Sequence, residues 1–231
     1  VIVAAVVPWR GGQPDREGHH AAVRAHLRQL LPRAVHLDAD SGHLTFSRAG
    51  ARNCGVLLAK SRLADVVVIC DADTLVEPGP LHEAIADADD GRLHLPYTRY
   101  RGLSETATET FHRSPGAVLT GLDTEQETDW ATGGVLVIQP DAWWRAGGMD
   151  ERHAGWGFED TSFRVAADAL LGPTVRHEGV IHHLWHPTSR VRDSTYGASR
   201  ALADRYDAAQ GNPDAVRALV AEHRPYLIPQ P

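Results

Sequence analysis

The chain has 231 residues, 42% of them hydrophobic, with a formal charge of −7 and a pI near 6.0. That length suits one α/β domain large enough to bury a sheet between helices, and the acidic balance excludes the basic stripe of a nucleic-acid binder. Lys60 is the only lysine, so arginine carries the positive charge, a bias suited to planar recognition of phosphate or carboxylate. Cys54 and Cys70 do not make a disulfide framework, and two reduced thiols point to a cytoplasmic protein.

The first seven residues are apolar but too short to span a membrane, and no transmembrane segment is expected. They read as the first strand, ending at Pro8-Trp9-Arg10 with a turn at Gly11-Gly12. The spacing predicts a helix over 15–31, with Ala22, Val23, Leu27, Leu30 and Leu31 on one side and Pro32 as its stop. A short strand at 34–37, a helix at 49–63 and an apolar strand at 66–70 follow. Pro78-Gly79-Pro80 opens a helix running to 88, and 92–96 returns as a strand. This alternation is the pattern of an α/β fold with a mostly parallel central sheet flanked by helices.

The stretch 97–130 is rich in Thr, Glu, Arg and Gly and has little hydrophobic period, so it reads as a long surface excursion of the functional or mobile kind. Order returns at Thr132-Gly133-Gly134 and the strand 135–138, where the glycine pair lets a backbone pass close to a ligand. A helix with Trp143 and Trp144, a helix at 161–171 and a strand at 179–181 complete the body. The segment 199–221 reads as a helical cap packed through Leu202, Tyr206, Val216 and Leu219, with an acceptor-site or dimer role as the alternative.

Three features carry chemistry. Asp-Ala-Asp occurs three times, at 38–40, 71–73 and 87–89, but only Asp71-Ala72-Asp73 breaks from a β-branched run. Carboxylates at the carboxyl end of a buried strand suit a divalent cation that grips a diphosphate, although a solvated strand end has the same text. Gly155-Trp156-Gly157-Phe158-Glu159-Asp160 sets two acids at a helix start. Such acids are stabilised by the helix dipole alone, yet beside an aromatic and two glycines an acid facing a cleft is where a general base belongs. His182-His183-Leu184-Trp185-His186 follows a strand and supplies three imidazoles in a chain of 14 histidines, several of which must be bystanders. Imidazole with two carboxylates suits Mn²⁺ better than Ca²⁺.

Taken in order, these residues resemble the GT-A sugar-nucleotide glycosyltransferases, in the group of β-1,4-galactosyltransferases, polypeptide N-acetylgalactosaminyltransferases and bacterial family 2 enzymes. Phe46-Ser47-Arg48-Ala49-Gly50-Ala51-Arg52-Asn53-Cys54-Gly55 followed by Asp71-Ala72-Asp73 looks like the donor half of that family. Gly133-Gly134 and Trp156-Gly157-Phe158-Glu159-Asp160 look like its acceptor half. His183-Leu184-Trp185-His186 is similar to the closing His motif, and Pro8-Trp9-Arg10 to the Pro-Phe-Arg of the nucleotide pocket.

The resemblance implies one GT-A catalytic domain over 1–231, with a nucleotide-binding half at 1–96, an acceptor half at 97–190 and a helical C-terminal segment at 191–231. It implies transfer of a hexosyl or N-acetylhexosaminyl unit from a nucleoside diphosphate sugar, a UDP-sugar, to a hydroxyl of a glycan, protein or small molecule, with inversion. Mn²⁺ or Mg²⁺ would be held by Asp71, Asp73, His183 and His186, with Asp73 the direct ligand and Asp71 on ribose or metal. Pro8, Trp9, Arg10, Asn53, Ala72, Gly133, Gly134 and Trp156 would line the donor site, Asp38 would accept the uracil imide hydrogen, and Arg48 would cover the base or a phosphate. Asp160 would be the catalytic base and Glu159 would orient acceptor or donor sugar.

Two other classes fit parts of the chain. A sugar-phosphate nucleotidyltransferase usually needs a Gly-rich basic loop and a catalytic lysine, against Arg10-Gly11-Gly12-Gln13 and a helical Lys60. A non-catalytic carbohydrate-binding domain accounts for six tryptophans but not for a strand-end acid pair with a downstream His cluster.

Overall fold

Residues 1–113, 119, 121–155, 157–187 and 195–223 are described by the structure, a computed structural model. The N-terminal half alternates strand and helix: β1 (Val3–Pro8), α1 (Pro14–Leu30), β2 (Val35–Ala39), α2 (Arg48–Ser61) and β3 (Val66–Cys70). The sequence dictates much of this. Ser47 caps α2, its side chain accepting from the Gly50 amide at 3.1 Å, and Pro14 starts α1 at a position where no amide is missed. Every residue of β3 is buried, as a strand covered on both faces requires.

The chain continues through β4 (Thr74–Val76), α3 (Pro78–Asp87), β5 (His94–Leu95), β6 (Arg99–Leu103), α4 (Glu105–Arg113), β7 (Thr124–Thr128), β8 (Val135–Ile138) and α5 (Pro140–Arg145). It closes with α6 (Glu159–Leu171), β9 (Val175–Arg176), β10 (Val180–His183), α7 (Tyr196–Ala209) and α8 (Pro213–Glu222). The main sheet has the order β2-β1-β3-β8-β5-β9. β2, β1 and β3 run parallel, β8 runs antiparallel between β3 and β5, and β5 and β9 are again parallel. A second sheet, β4-β10-β6-β7, stands beside it.

The expected surface excursion at 97–130 is corrected by this second sheet. β6 and β7 belong to that sheet with α4 between them in the chain, and Tyr97, Leu103, Ala107 and Phe111 are buried. The polar side chains that hid the period face outward on β7, where the residues are exposed or half-buried. The strand expected at 179–181 runs instead from Val180 to His183, so His182 and His183 belong to it.

Among the described residues the helical segment expected at 199–221 is two helices, α7 and α8, broken at Gly211 and restarted by Asn212, whose side chain accepts from the Asp214 and Ala215 amides. Leu202, Tyr206, Val216 and Leu219 pack on Val165 and Ala166 of α6, so this segment caps the domain. The Tyr206 hydroxyl donates to Asp150 at 3.0 Å, which ties the cap to the loop before α6. Among the described residues no helix is long and apolar enough to cross a membrane.

Candidate active site

A cleft of about 600 Å³ opens where the carboxyl ends of β1 and β3 meet the second sheet. Its volume is in the range of small-molecule sites, roughly 300–1,000 Å³. Pro8, Trp9, Arg10 and Arg48 line one side, and Asp71, Ala72 and Asp73 form its floor. Tyr100, His183, Trp185 and His186 line the opposite wall. Residues from 1–96 and from 97–190 therefore build one cleft together.

The strand register brings Asp73 and His183 together. β10 pairs antiparallel with β4 so that His183 lies opposite Thr74 and His182 opposite Leu75, and the Leu184 amide donates to the Asp73 carbonyl at 2.8 Å. Successive residues of a strand face opposite sides. His182 is accordingly buried while His183 faces the cleft. His183 Nε2 lies 3.5 Å from Asp73 Oδ1, and His186 Nε2 lies 3.6 Å from Asp73 Oδ2. Among the described residues these three make the one group able to share a metal ion, their ligand atoms all within 4.8 Å of one another.

The His186 end is fixed from several directions. The Trp185 amide donates to Thr108 Oγ1 at 2.8 Å, and His19 Nε2 donates to the Trp185 carbonyl at 2.9 Å. With Nε2 carrying the proton, His19 Nδ1 accepts from His112 Nε2 at 2.8 Å. Burial lowers the His19 pKa to about 4, which keeps it neutral in this relay. His186 Nδ1 donates to the Pro187 carbonyl at 3.0 Å, leaving the Nε2 lone pair aimed toward Asp73. Asp73 is buried, which alone would raise its pKa, but His183, Arg16 and His186 hold it below the usual carboxylate range.

Behind the floor lies a second charged cluster centred on Arg52, which is 1% exposed. It donates to Asp71 and to Asp160, each at 2.6 Å, and lies 3.5 Å from Glu159. Arg48, one helical turn earlier, pairs with Glu159 at 2.8 Å. Glu159 is fully enclosed, yet the two arginines outweigh burial and lower its pKa. The Asp160 pKa is raised to about 7, because burial and the neighbouring Glu159 and Asp71 carboxylates outweigh Arg52. The Asp160 side chain retains 22% exposure and stands just behind the cleft lining.

The glycine pair shapes this corner. A Cβ at Gly133 would run into the Asp160 carboxylate, and its carbonyl accepts from the Tyr97 hydroxyl at 2.5 Å. Gly134 has φ +91° and a carbonyl that accepts from the Asp71 amide at 2.8 Å, a conformation that favours glycine.

Several expected site residues stand elsewhere. Asp71 lines the cleft but turns its carboxylate to Arg52 and does not join the trio of Asp73, His183 and His186. Asn53 is wholly buried and reaches no part of the cleft lining. It accepts from the Met149 amide and the Trp143 indole and donates to the Met149 carbonyl and Glu151, so it fastens α2 to the 149–151 loop. Asp38 is outside the lining, held by Arg24 at 2.5 Å and His20 at 2.9 Å, with His20 stacked on Trp9. Arg10 in the cleft pairs with Asp40 at 2.5 Å, so the second acid of the 38–40 triplet is the one at the cleft edge. Gly133, Gly134, Glu159 and Asp160 stand behind the lining, and Trp156 lies outside the described residues.

Sequence reasoning gave no individual site role to Arg52, Arg16 or Trp185. Arg52 had a readable signal, since Arg48 and Arg52 are four residues apart and share one helix face. Arg16 had none, because its partner Asp73 lies 57 residues away.

No protein-family model matches the chain, and no curated protein matches it in sequence. Solved structures match its fold. Drosophila β1,4-galactosyltransferase 7, in a complex with manganese, UDP-Gal and xylobiose, is similar with a TM-score of 0.56 at 21% identity, covering 86% of this chain and 79% of that one. Staphylococcus aureus TarS in complex with UDP-GlcNAc has a TM-score of 0.56 at 10% identity, covering 96% of this chain and 71% of that one. GalNAc-T7 with UDP, GalNAc and Mn²⁺ has a TM-score of 0.50 at 12% identity, and this chain covers 55% of its length. At these identities the likeness is one of architecture, and the architecture of this chain is the GT-A fold of sugar-nucleotide glycosyltransferases.

Proposed function

We propose that this protein is a metal-dependent glycosyltransferase that moves a sugar from a UDP-sugar to a hydroxyl acceptor with inversion. The observation that carries this reading is the trio of Asp73, His183 and His186 on the wall of a 600 Å³ cleft at the carboxyl ends of β1 and β3. One carboxylate and two imidazoles suit a divalent transition ion better than Ca²⁺, which takes all-oxygen sites. The complexes of the Drosophila enzyme with manganese and UDP-Gal, and of TarS with UDP-GlcNAc, support the same donor class.

A divalent ion held by Asp73, His183 and His186 would supply electrostatic stabilisation of the leaving diphosphate. Trp9 offers a flat face for the base, its other side being covered by the stacked His20 ring at 4.3 Å. Arg48, held by Glu159, and Arg10, held by Asp40, present cations to the donor. Asp160 takes the proton of the acceptor hydroxyl as that oxygen bonds to the anomeric carbon, and the bond from that carbon to the diphosphate oxygen breaks. Attack from the face opposite the diphosphate inverts the configuration. Arg52 holds Asp160 and the cleft-floor Asp71 in one network, which fixes where the base stands relative to the donor.

The direct test is incubation of the protein with a panel of UDP-sugars and Mn²⁺, with and without EDTA. Release of UDP from one or more donors, lost with EDTA, supports the reading. Pyrophosphate formation from UTP and a sugar phosphate would replace it with nucleotidyl transfer, for which the one lysine is poorly placed: Lys60 pairs with Asp141 on the exposed surface at 2.7 Å.

A further inference from the structure

Arg16 is the arginine of the cleft lining that the reaction above leaves without a role. It lies in the first turn of α1, lines the cleft, and directly contacts Asp73 Oδ2. That is the oxygen facing His186, while Oδ1 faces His183. A guanidinium and a divalent ion would therefore compete for one side of one carboxylate. Among the described residues Asp73 is the only ion-pair partner of Arg16, whose side chain is 29% exposed against 8% for Asp73. The carboxylate is thus fixed and the arginine is the member with room to move.

Building on the donor reading above, we propose that Arg16 is an exchange cation: it holds Asp73 while no metal is bound, and passes to the diphosphate of the donor when a divalent ion takes its place. Like charges on one enclosed carboxylate repel, because the screening that weakens such repulsion in water is reduced there. The displaced guanidinium lies in the same cleft as the leaving diphosphate, and its planar fork suits phosphate oxygens. Arg16 then opposes metal alone and favours nucleotide once metal is in. Metal and nucleotide each strengthen the binding of the other, as linkage requires.

The test is calorimetric titration of Mn²⁺ into the nucleotide-free protein and of UDP into the Mn²⁺-saturated protein, for the parent and for Arg16→Gln. The variant is expected to bind Mn²⁺ about tenfold tighter alone and UDP about tenfold weaker with Mn²⁺ present, within the usual span of site-to-site coupling. Arg16→Lys, which keeps the charge without the fork, should restore the opposition to metal more fully than the affinity for UDP. Loss of an ordinary packing role would move both titrations the same way. If Arg16→Gln binds Mn²⁺ no tighter than the parent, or keeps the parent's coupling between Mn²⁺ and UDP, the exchange role is overturned while the donor reading stands. A parent protein that binds neither Mn²⁺ nor UDP overturns both.

Discussion

Arg52 donates to Asp160 at 2.6 Å from a position that is 1% exposed, so one buried cation holds the proposed base in place. The same guanidinium reaches Asp71 and lies near Glu159. Removing it leaves three carboxylates facing one another. Arg52→Met is expected to destabilise the fold by about 3–5 kcal/mol, the usual result of stripping one partner from a buried pair. Arg52→Lys, which keeps the charge but loses the fork, should fall between the two. Chemical denaturation of the three proteins at pH 7.5 measures this, and a Met variant as stable as the parent would show that the carboxylates are satisfied without the arginine.

Asp160 accepts a proton only when ionised. Its pKa is raised to about 7, chiefly by burial, with Arg52 pulling down and Glu159 and Asp71 pushing up. The rate kcat/KM should therefore decline on the acid side with a midpoint near pH 7, dropping about tenfold per pH unit well below it. Asp160→Asn keeps the shape and removes the base, so turnover should fall about 10²- to 10⁴-fold while UDP and Mn²⁺ affinities stay within a few-fold of the parent. A profile flat down to pH 5, or an Asn variant with parental turnover, would reassign Asp160 to acceptor binding. A product with the donor's own anomeric configuration, read by NMR, would show retention.

The β4–β10 register makes a sharp distinction between adjacent histidines. His183 faces the cleft and Asp73, whereas His182 is buried on the other side of the strand. His183→Ala and His186→Ala should each weaken Mn²⁺ binding by tenfold or more, about what even an outer-sphere partner can contribute. His182→Leu should leave Mn²⁺ affinity near the parent's, whatever it does to stability. Mn²⁺ titrations of the three variants decide it, and a larger loss in His182→Leu than in His183→Ala would mean that the strand is shifted by one residue.

These residues also show what the sequence made legible. β1, β3 and α2 could be read because apolar runs and a Ser cap leave a local imprint, and Asp71-Ala72-Asp73 stood out by its position after β3. The His cluster was found as a cluster, and the resemblance pointed within it to His183 and His186, but the reason that His182 turns away is the β10–β4 register, which pairs segments about a hundred residues apart. The second sheet was hidden because β7 faces solvent and α4 alternates threonine with glutamate, yet α4 supplies Thr108 and His112, which pin the His186 loop. Asn53 looked like a donor contact from its motif. Its neighbours Met149 and Trp143, far along the chain, make it a fastener instead.

That reassignment has its own consequence. Asn53→Ala removes the partners of the Met149 amide and the Trp143 indole, both buried. Unsatisfied buried donors and a small cavity together should cost roughly 2–4 kcal/mol. Thermal unfolding should show the loss, and any fall in UDP affinity should vanish when binding is compared at a temperature where both proteins are folded. A specific loss of UDP binding with unchanged stability would return Asn53 to the donor site.

The most direct test of the central claim is the metal dependence of nucleotide binding. UDP titrated into the parent with Mn²⁺ should give saturable heat that EDTA abolishes, and Asp73→Ala should behave with Mn²⁺ as the parent does with EDTA while keeping its fold by circular dichroism. UDP binding of equal strength in the parent with EDTA and in Asp73→Ala with Mn²⁺ to that of the Mn²⁺-loaded parent would contradict a donor site built on Asp73, His183 and His186.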